Sequence, residues 1–124
     1  MRFKTDRVKA EFEKLAELNS KLHALLLKLD TFCLTVMGKD VCLTHIFRTE
    51  EEQKQLYAAT PIDKRPKSSP HQVWGACDVR SRDFNKEQIE QILDFLVAQP
   101  KGRYRTNAIY HKIPGNTDHL HLQY

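Results

Sequence analysis

The sequence predicts an α+β fold, with a small antiparallel sheet and helices packed on one side of it. Three observations predict this class. Apolar residues recur every three or four positions around residues 6–29 and 85–97, which is typical of helices with one buried face. Short runs rich in β-branched and aromatic residues lie between and after those segments, next to turn-forming residues. A length of 124 residues, 40% of them hydrophobic, suits a single domain over residues 1–124.

The first predicted helix runs from Asp6 to Leu29, within an N-terminal segment of residues 1–30. Its apolar residues fall three or four positions apart and so share one stripe: Val8, Phe12, Leu15, Leu18, Leu22, Leu25, Leu26 and Leu29. We expect this stripe to pack against the core, with a partner-binding helix as the alternative.

Two further helices begin at residues that can cap them. Thr49 and Glu52 can form a capping box, in which each side chain satisfies a free backbone N–H of the first turn. That helix should run to about Ala59. Asn85 and Gln88 can cap a later helix in the same way.

Strand character is found in five short segments, which are residues 32–37, 41–47, 76–80, 107–113 and 119–123. The first two surround Gly38 and are predicted to form a hairpin, and the last two are predicted to form a terminal hairpin. Residues 60–70 contain Pro61, Pro66 and Pro70, so we expect an exposed loop there.

Charge and hydropathy limit the possible partners. Twenty basic against 16 acidic residues give a net charge of +4, which favours anionic partners. No recognisable nucleic-acid-binding motif accompanies this charge, so nucleic acid is not an expected partner. The run of three leucines at residues 25–27 is far too short to span a bilayer. We therefore expect no signal peptide, no membrane insertion and a monomer that is cytoplasmic when synthesised.

The cysteines are an odd set with no C-x-x-C pair: Cys33, Cys42 and Cys77. This pattern is unlike a disulfide framework or a zinc ribbon. We expect reduced thiols that serve as small core residues.

Residues that can bind a metal or move a proton gather in the second half of the chain. His119 and His121 are two apart, so on a strand their side chains project from the same face. Asp78 lies in an apolar segment, where a carboxylate is costly unless it is paired or bound to a cation. His71, Asp78 and one of these two histidines would offer nitrogen, oxygen and nitrogen donors, a set suited to Zn²⁺. A salt-bridged aspartate beside ordinary loop histidines is the alternative.

One stretch resembles a known signature. Residues 69–78 read S-P-H-Q-V-W-G-A-C-D, which resembles the S-x-H-x-x-G-x-A-x-D signature of zinc D-alanyl-D-alanine carboxypeptidases and phage L-alanyl-D-glutamate endolysins, relatives of the hedgehog signalling domain. The Ser, His, Ala and Asp positions match. Trp74 stands where the signature has glycine, and Gly75 follows one position later.

Two more motifs follow the same family pattern. Residues 118–121, D-H-L-H, are similar to the C-terminal arrangement in which an acidic residue precedes the last metal-binding histidine by three positions. Residues 48–57, R-T-E-E-E-Q-K-Q-L-Y, resemble an R-S-x-x-x-Q-x-x-L-Y stretch that precedes the histidine motif. The resemblance covers residues 40–124, with all three motifs in the family order.

The resemblance implies a hedgehog-like zinc peptidase fold with one Zn²⁺ ion and three ligands: His71, Asp78 and His121. It implies that Asp118 is the general base, with an ordinary turn residue as the alternative. Arg48 and His119 would stabilise the developing oxyanion, and Ser69 with Arg48 would bind substrate. Alternatively, Arg48 pairs with the acidic helix that follows it.

The family also implies the substrate. We expect hydrolysis of peptidoglycan stem peptides, at the L-alanyl-D-glutamate bond, by a phage or prophage endolysin that reaches the cell wall after release. A D-alanyl-D-alanine carboxypeptidase is the alternative. In another class, the chain would be a non-catalytic zinc-bearing binding or structural module.

Four residues near these motifs have less specific interpretations. His111 could line the cleft through hairpin pairing with the terminal strand. Trp74 could wall the substrate groove or fill the core. His23 and His45 are expected to be structural.

Overall fold

The computed structural model describes residues 1–112 and 118–124. Within them lie four α-helices and one five-stranded sheet, which confirms the α+β class. The helices are α1 (Asp6–Leu18), α2 (Ser20–Met37), α3 (Glu50–Leu56) and α4 (Lys86–Val97). The strands are β1 (Arg2–Phe3), β2 (Cys42–His45), β3 (Ala76–Arg80), β4 (Ala108–His111) and β5 (His119–Gln123), in the sheet order β1-β2-β3-β5-β4. None of these four helices combines the length and the apolar character needed to cross a bilayer.

The sheet is mixed, which corrects the prediction of a purely antiparallel one. β1 runs parallel to β2, with Phe3 opposite Leu43, whereas the other pairings are antiparallel. The chain passes from β1 to β2 through α1 and α2, and a helical crossover of this length permits parallel pairing. β1 has only two residues, so it leaves no alternating pattern in the sequence by which it could be recognised.

The predicted helix over residues 6–29 is two helices, because Asn19 interrupts it. Asn19 leaves the helical region, with φ −152° and ψ 77°, and its Oδ1 accepts a hydrogen bond from the backbone N–H of Leu22. Its Nδ2 donates to the carbonyl oxygens of Trp74 and Tyr124 at 3.0 and 2.9 Å. These contacts to distant parts of the chain fix the break, and α1 then packs against α2.

Residues 32–37 are the last turns of α2, so the predicted hairpin around Gly38 is wrong. Cys33 is fully buried and continues the buried leucine stripe of α2. Phe32 stacks on Phe95 of α4, with ring centroids 4.3 Å apart. Gly38 ends the helix in the left-handed conformation, with φ 66°. Packing of the helical stripe therefore outweighs the local strand propensity.

The other predicted elements are present with small shifts. β3 has the predicted bounds, and α3 and α4 begin with the predicted capping boxes at Thr49 and Asn85. α3 ends at Leu56, three residues before the predicted end. β4 and β5 form the predicted antiparallel terminal hairpin, whose connecting residues 113–117 lie outside the described part of the chain.

The two faces of the sheet have different surroundings. One face contributes Leu43, Cys77, Val79, Leu120 and Leu122 to the same core as α1, α2 and α4, so these three helices pack on that side of the sheet, whereas α3 borders the other side. Side chains alternate along strands, so the opposite face carries the residues between these apolar ones. That opposite face carries the predicted site residues Asp78, His119 and His121.

The three cysteines are buried and unpaired, as predicted. Burial raises the pKa of the Cys33 thiol to about 12 and also raises the pKa of Cys77. Neither thiol is therefore a nucleophile near neutral pH.

Candidate metal centre

Two histidines and one aspartate meet on the open face of the sheet. Asp78 in β3 lies directly opposite His121 in β5, so both side chains leave the same face. His71 comes from the short 3-10 turn Pro70–Val73 just before β3. One ligand atom of each residue lies within 4.8 Å of the others, and all three residues are buried. The structure thus brings the three predicted ligands together in a group that could hold a metal ion.

Asp78 is the centre of this group. Its Oδ1 lies 3.1 Å from Nδ1 of His121, 3.3 Å from Nε2 of His71 and 3.6 Å from Nε2 of His119. Burial alone would raise the pKa of Asp78, but hydrogen bonds from His121 and His71 hold that pKa well below its usual range. In the described part of the chain its ion-pair partners are histidines, without a lysine or arginine. A buried carboxylate in these surroundings favours a bound cation.

Hydrogen bonds orient the two ligand imidazoles. Nδ1 of His71 lies 2.8 Å from the carbonyl oxygen of Ile46 and donates to it, so Nε2 faces Asp78. Nε2 of His121 lies 3.1 Å from Oε1 of Gln123, so Nδ1 faces Asp78. A carbonyl or amide oxygen on the far nitrogen is the usual partner of a metal-binding histidine, because it fixes the ring and its tautomer.

A left-handed residue ends the turn that carries His71. Trp74 has φ 59° and ψ 27°, at the position where the resembled signature has glycine, so the indole-bearing residue adopts a conformation that favours glycine. Its ring stacks on Phe47 with centroids 4.8 Å apart and packs against the core, without lining the metal cleft. A Cβ on Gly75 would lie 2.7 Å from Oη of Tyr104, so the Tyr104 side chain would have to shift to admit one.

A cleft of about 520 Å³ opens over the metal group, and three further predicted site residues line it: Arg48, Ser69 and His119. Nη1 of Arg48 donates to Oε1 of the buried Gln53 at 2.8 Å, so the guanidinium is held by Gln53 and not by the acidic first turn of α3. Oγ of Ser69 accepts a hydrogen bond from the backbone N–H of His71 and caps its turn. Arg48 is therefore positioned to bind a group beside the ligands.

Two more histidines surround the ligands. His111 lines the cleft, as hairpin pairing predicts, and its Nδ1 lies 3.3 Å from Nε2 of His119. Burial, with the neighbouring imidazoles, lowers the pKa of His111. His45 lies opposite Asp78 in the β2–β3 register, next to a register shift. Strand alternation in the sequence therefore does not predict which face of the sheet its side chain takes. Burial lowers the pKa of His45 to about 4, and its buried Nε2 has no hydrogen-bond partner among the described residues.

His23 lies apart from this cluster. Its ring stacks on Phe12 of α1, with centroids 4.5 Å apart, which fits its structural interpretation.

Asp118 is held outside the metal cleft. Its Oδ2 accepts a hydrogen bond from the Tyr110 hydroxyl at 3.3 Å, and its carbonyl oxygen accepts one from Oγ of Ser81 at 2.8 Å. The residues that line the cleft include its neighbour His119 but not Asp118. In this conformation the predicted base is thus separated from the predicted ligands.

Comparison with protein-family models, curated proteins and solved structures finds no match for this chain. The geometry of the cleft and the motifs in the sequence therefore carry the functional argument.

Three basic residues next to this site are absent from the sequence prediction: Lys4, Arg80 and Arg82. Strand alternation from Asp78 could have placed Arg80 on the ligand face, since the two residues are two positions apart. Lys4 and Arg82 lie just outside β1 and β3, where the sequence carries no such signal.

Proposed function

We propose that this chain is a zinc-dependent peptidase that hydrolyses the L-alanyl-D-glutamate bond of peptidoglycan stem peptides. One observation carries the proposal: His71, Asp78 and His121 converge beside a cleft that is open to a substrate. The same cleft holds Arg48 and Ser69, which come from two separate motifs of the resemblance. Independent motifs that meet in one cleft support a peptidase of this kind.

Two of the three donor separations suit a tetrahedral zinc site, and the third, between the two imidazole nitrogens, is within 4.8 Å. Ligand distances of about 2.0 Å in a tetrahedral site place the donor atoms about 3.3 Å from one another. Oδ1 of Asp78 lies 3.1 and 3.3 Å from the facing nitrogens of His121 and His71. Two histidines and one carboxylate are also a typical protein ligand set of catalytic zinc, which leaves a position for water or substrate.

A bound zinc ion would acidify water and polarise the carbonyl of the scissile amide. The remaining chemistry belongs to side chains of the cleft. Arg48, held by Gln53, would bind the carbonyl oxygen and stabilise the negative charge that develops on it. His119, which lines the cleft, would donate a second hydrogen bond to the same oxygen.

We assign proton transfer to Asp118, which must first exchange its hydrogen bond. Its carboxylate would leave the Tyr110 hydroxyl and turn into the cleft, where it would accept a proton from water and pass it to the leaving amine. Tyr110→Phe should therefore retain or increase activity, whereas Asp118→Ala should lose activity and keep its zinc. An Asp118→Ala variant with full activity would transfer the role of base to another residue, with His119 the first candidate.

The experiment is digestion of purified peptidoglycan with the zinc-loaded protein. New amino groups and fragment masses would be followed with and without a chelator, and after zinc is added back. We expect zinc-dependent release of fragments that end at L-alanine and begin at D-glutamate. Release of D-alanine would instead identify a D-alanyl-D-alanine carboxypeptidase.

Matched variants test the role of the ligands in this activity. His71→Ala should abolish cleavage, and His23→Ala, which also removes an imidazole but lies outside the cluster, should not. Absence of cleavage by a folded, zinc-loaded wild type would contradict the proposed activity and favour a non-catalytic zinc-bearing module.

A further inference from the structure

A second cavity, of about 310 Å³, adjoins the metal cleft. Its lining is polar throughout and consists of Lys4, Thr44, His45, Arg80, Arg82, Asp118 and His119. His119 lines both spaces, so the second cavity begins where the metal cleft ends. A volume of this size accommodates a small polar group.

Lys4, Arg80 and Arg82, the basic side chains of this cavity, form no ion pair in the described part of the chain. Arg2 and Arg7, on the same N-terminal segment, are each engaged by two carboxylates. Lys4, Arg80 and Arg82 make no ion pair or side-chain hydrogen bond with any described residue.

Three cations therefore face one carboxylate of the lining, that of Asp118, which already accepts a hydrogen bond from Tyr110. Like charges that line one cavity repel one another, and an anion bound among them would relieve this repulsion. Arginine guanidinium groups bind carboxylates through two parallel hydrogen bonds.

The sheet fixes the separation between this cavity and the ligands. Arg80 and Asp78 are two residues apart on β3, and Arg80 lies opposite His119 in β5. Two residues along a strand span about 6.7 Å. A group bound by Arg80 is thus within about two residues of an amide held at the metal cleft, if the substrate is an extended peptide.

We propose that Lys4, Arg80 and Arg82 form a subsite for a carboxylate of the peptide substrate, next to the bond that is cut. The inference rests on the proposed peptidase function. For a bond to D-glutamate, the group recognised would be the free α-carboxylate of that residue.

Binding of the leaving product tests the subsite without relying on catalysis. The probe is D-glutamate γ-methylamide, compared with the same compound carrying an α-carboxamide, each titrated into the zinc-loaded protein and followed by NMR. We expect the carboxylate to bind about ten-fold more tightly, the contribution of a charge-assisted hydrogen bond. Arg80→Gln and Lys4→Gln should reduce this preference below three-fold.

Controls keep the result interpretable. Lys14→Gln removes an exposed lysine of α1 away from both cavities and should keep the full preference. If Arg80→Gln lowers the unfolding midpoint, Arg82→Gln gives a second test, because residue 82 lies outside the strands. Any of three results would overturn the proposal. The wild type could show less than a two-fold preference for the carboxylate, or the preference could be unchanged in both Arg80→Gln and Lys4→Gln. The third result is tighter binding of inorganic phosphate than of the carboxylate.

Cleavage assays separate failure of the subsite from failure of the proposed function. Peptides with a free α-carboxylate or an α-carboxamide on D-glutamate would be compared as substrates. Cleavage of both at equal rates in wild type and Arg80→Gln overturns the subsite and leaves the peptidase intact. A carboxylate preference in binding without any cleavage supports the subsite and contradicts the peptidase.

Discussion

Trp74→Ala and Trp74→Gly are expected to differ in their free energy of unfolding. Both the order of the two variants and the size of the difference are informative. The residue has φ 59° at the end of the turn that carries His71. At an ordinary position alanine is more stable than glycine by about 0.5–1 kcal/mol, because glycine loses more conformational freedom on folding. At a left-handed position the order reverses, since a Cβ is strained there.

The magnitude follows from two contributions. Trp74→Ala and Trp74→Gly both lose the half-buried indole and its stacking on Phe47, which together stabilise by about 2–3 kcal/mol. Trp74→Ala also keeps the strain of a left-handed residue, which Trp74→Gly relieves. We therefore expect Trp74→Gly to be more stable than Trp74→Ala by about 1 kcal/mol, with both below wild type.

Urea unfolding of the metal-free protein measures this difference directly. Val73 is a matched control, because it is exposed and lies inside the 3-10 turn, so Val73→Ala should be more stable than Val73→Gly. The reasoning is refuted if Trp74→Ala equals or exceeds Trp74→Gly in free energy of unfolding. The glycine position of the signature would then have no conformational role in this chain.

Three further predictions concern other contacts. Asn19→Ala removes the cap of α2 and two hydrogen bonds to distant carbonyl groups, so it should lower the free energy of unfolding in urea by about 2 kcal/mol, and a loss below 0.5 kcal/mol would contradict this. Arg48→Gln should reduce kcat/KM for stem-peptide cleavage by about 10²–10³-fold with zinc content unchanged, and unaltered kinetics would remove Arg48 from the mechanism. Burial lowers the pKa of His45 to about 4, so as the pH falls below 6.5 the unfolded chain protonates this histidine before the folded chain does. The free energy of unfolding therefore decreases in this range. Between pH 7 and pH 5, the free energy of unfolding of metal-free His45→Gln should therefore decrease by about 1–2 kcal/mol less than that of the metal-free wild type. Parallel pH curves for the two proteins would contradict the assignment.

The metal group was accessible to sequence reasoning because it depends on local patterns. Alternation within one strand places His119 and His121 on the same face, and the resembled signature adds His71 and Asp78 at their fixed spacing. Because these rules are short-range, they hold even where other elements of the fold are predicted wrongly. The cap at Thr49 was predictable for the same reason, since a capping box needs only four residues.

Features that depend on distant contacts were not predictable. The break at Asn19 is fixed by carbonyl groups 55 and 105 residues away in sequence. The helical end of residues 32–37 depends on packing against α4, although its composition favours a strand. The bond from Tyr110 to Asp118 is also a tertiary contact, and it places the predicted base outside the cleft.

Zinc stoichiometry tests the central claim most directly. Purified protein would be loaded with zinc, freed of excess metal by dialysis and analysed for zinc per chain. We predict one zinc ion in wild type and in His23→Ala, and loss of stoichiometric zinc in the three ligand variants, His71→Ala, Asp78→Ala and His121→Ala. Stoichiometric zinc retained by folded ligand variants, or none in folded wild type, would contradict the account.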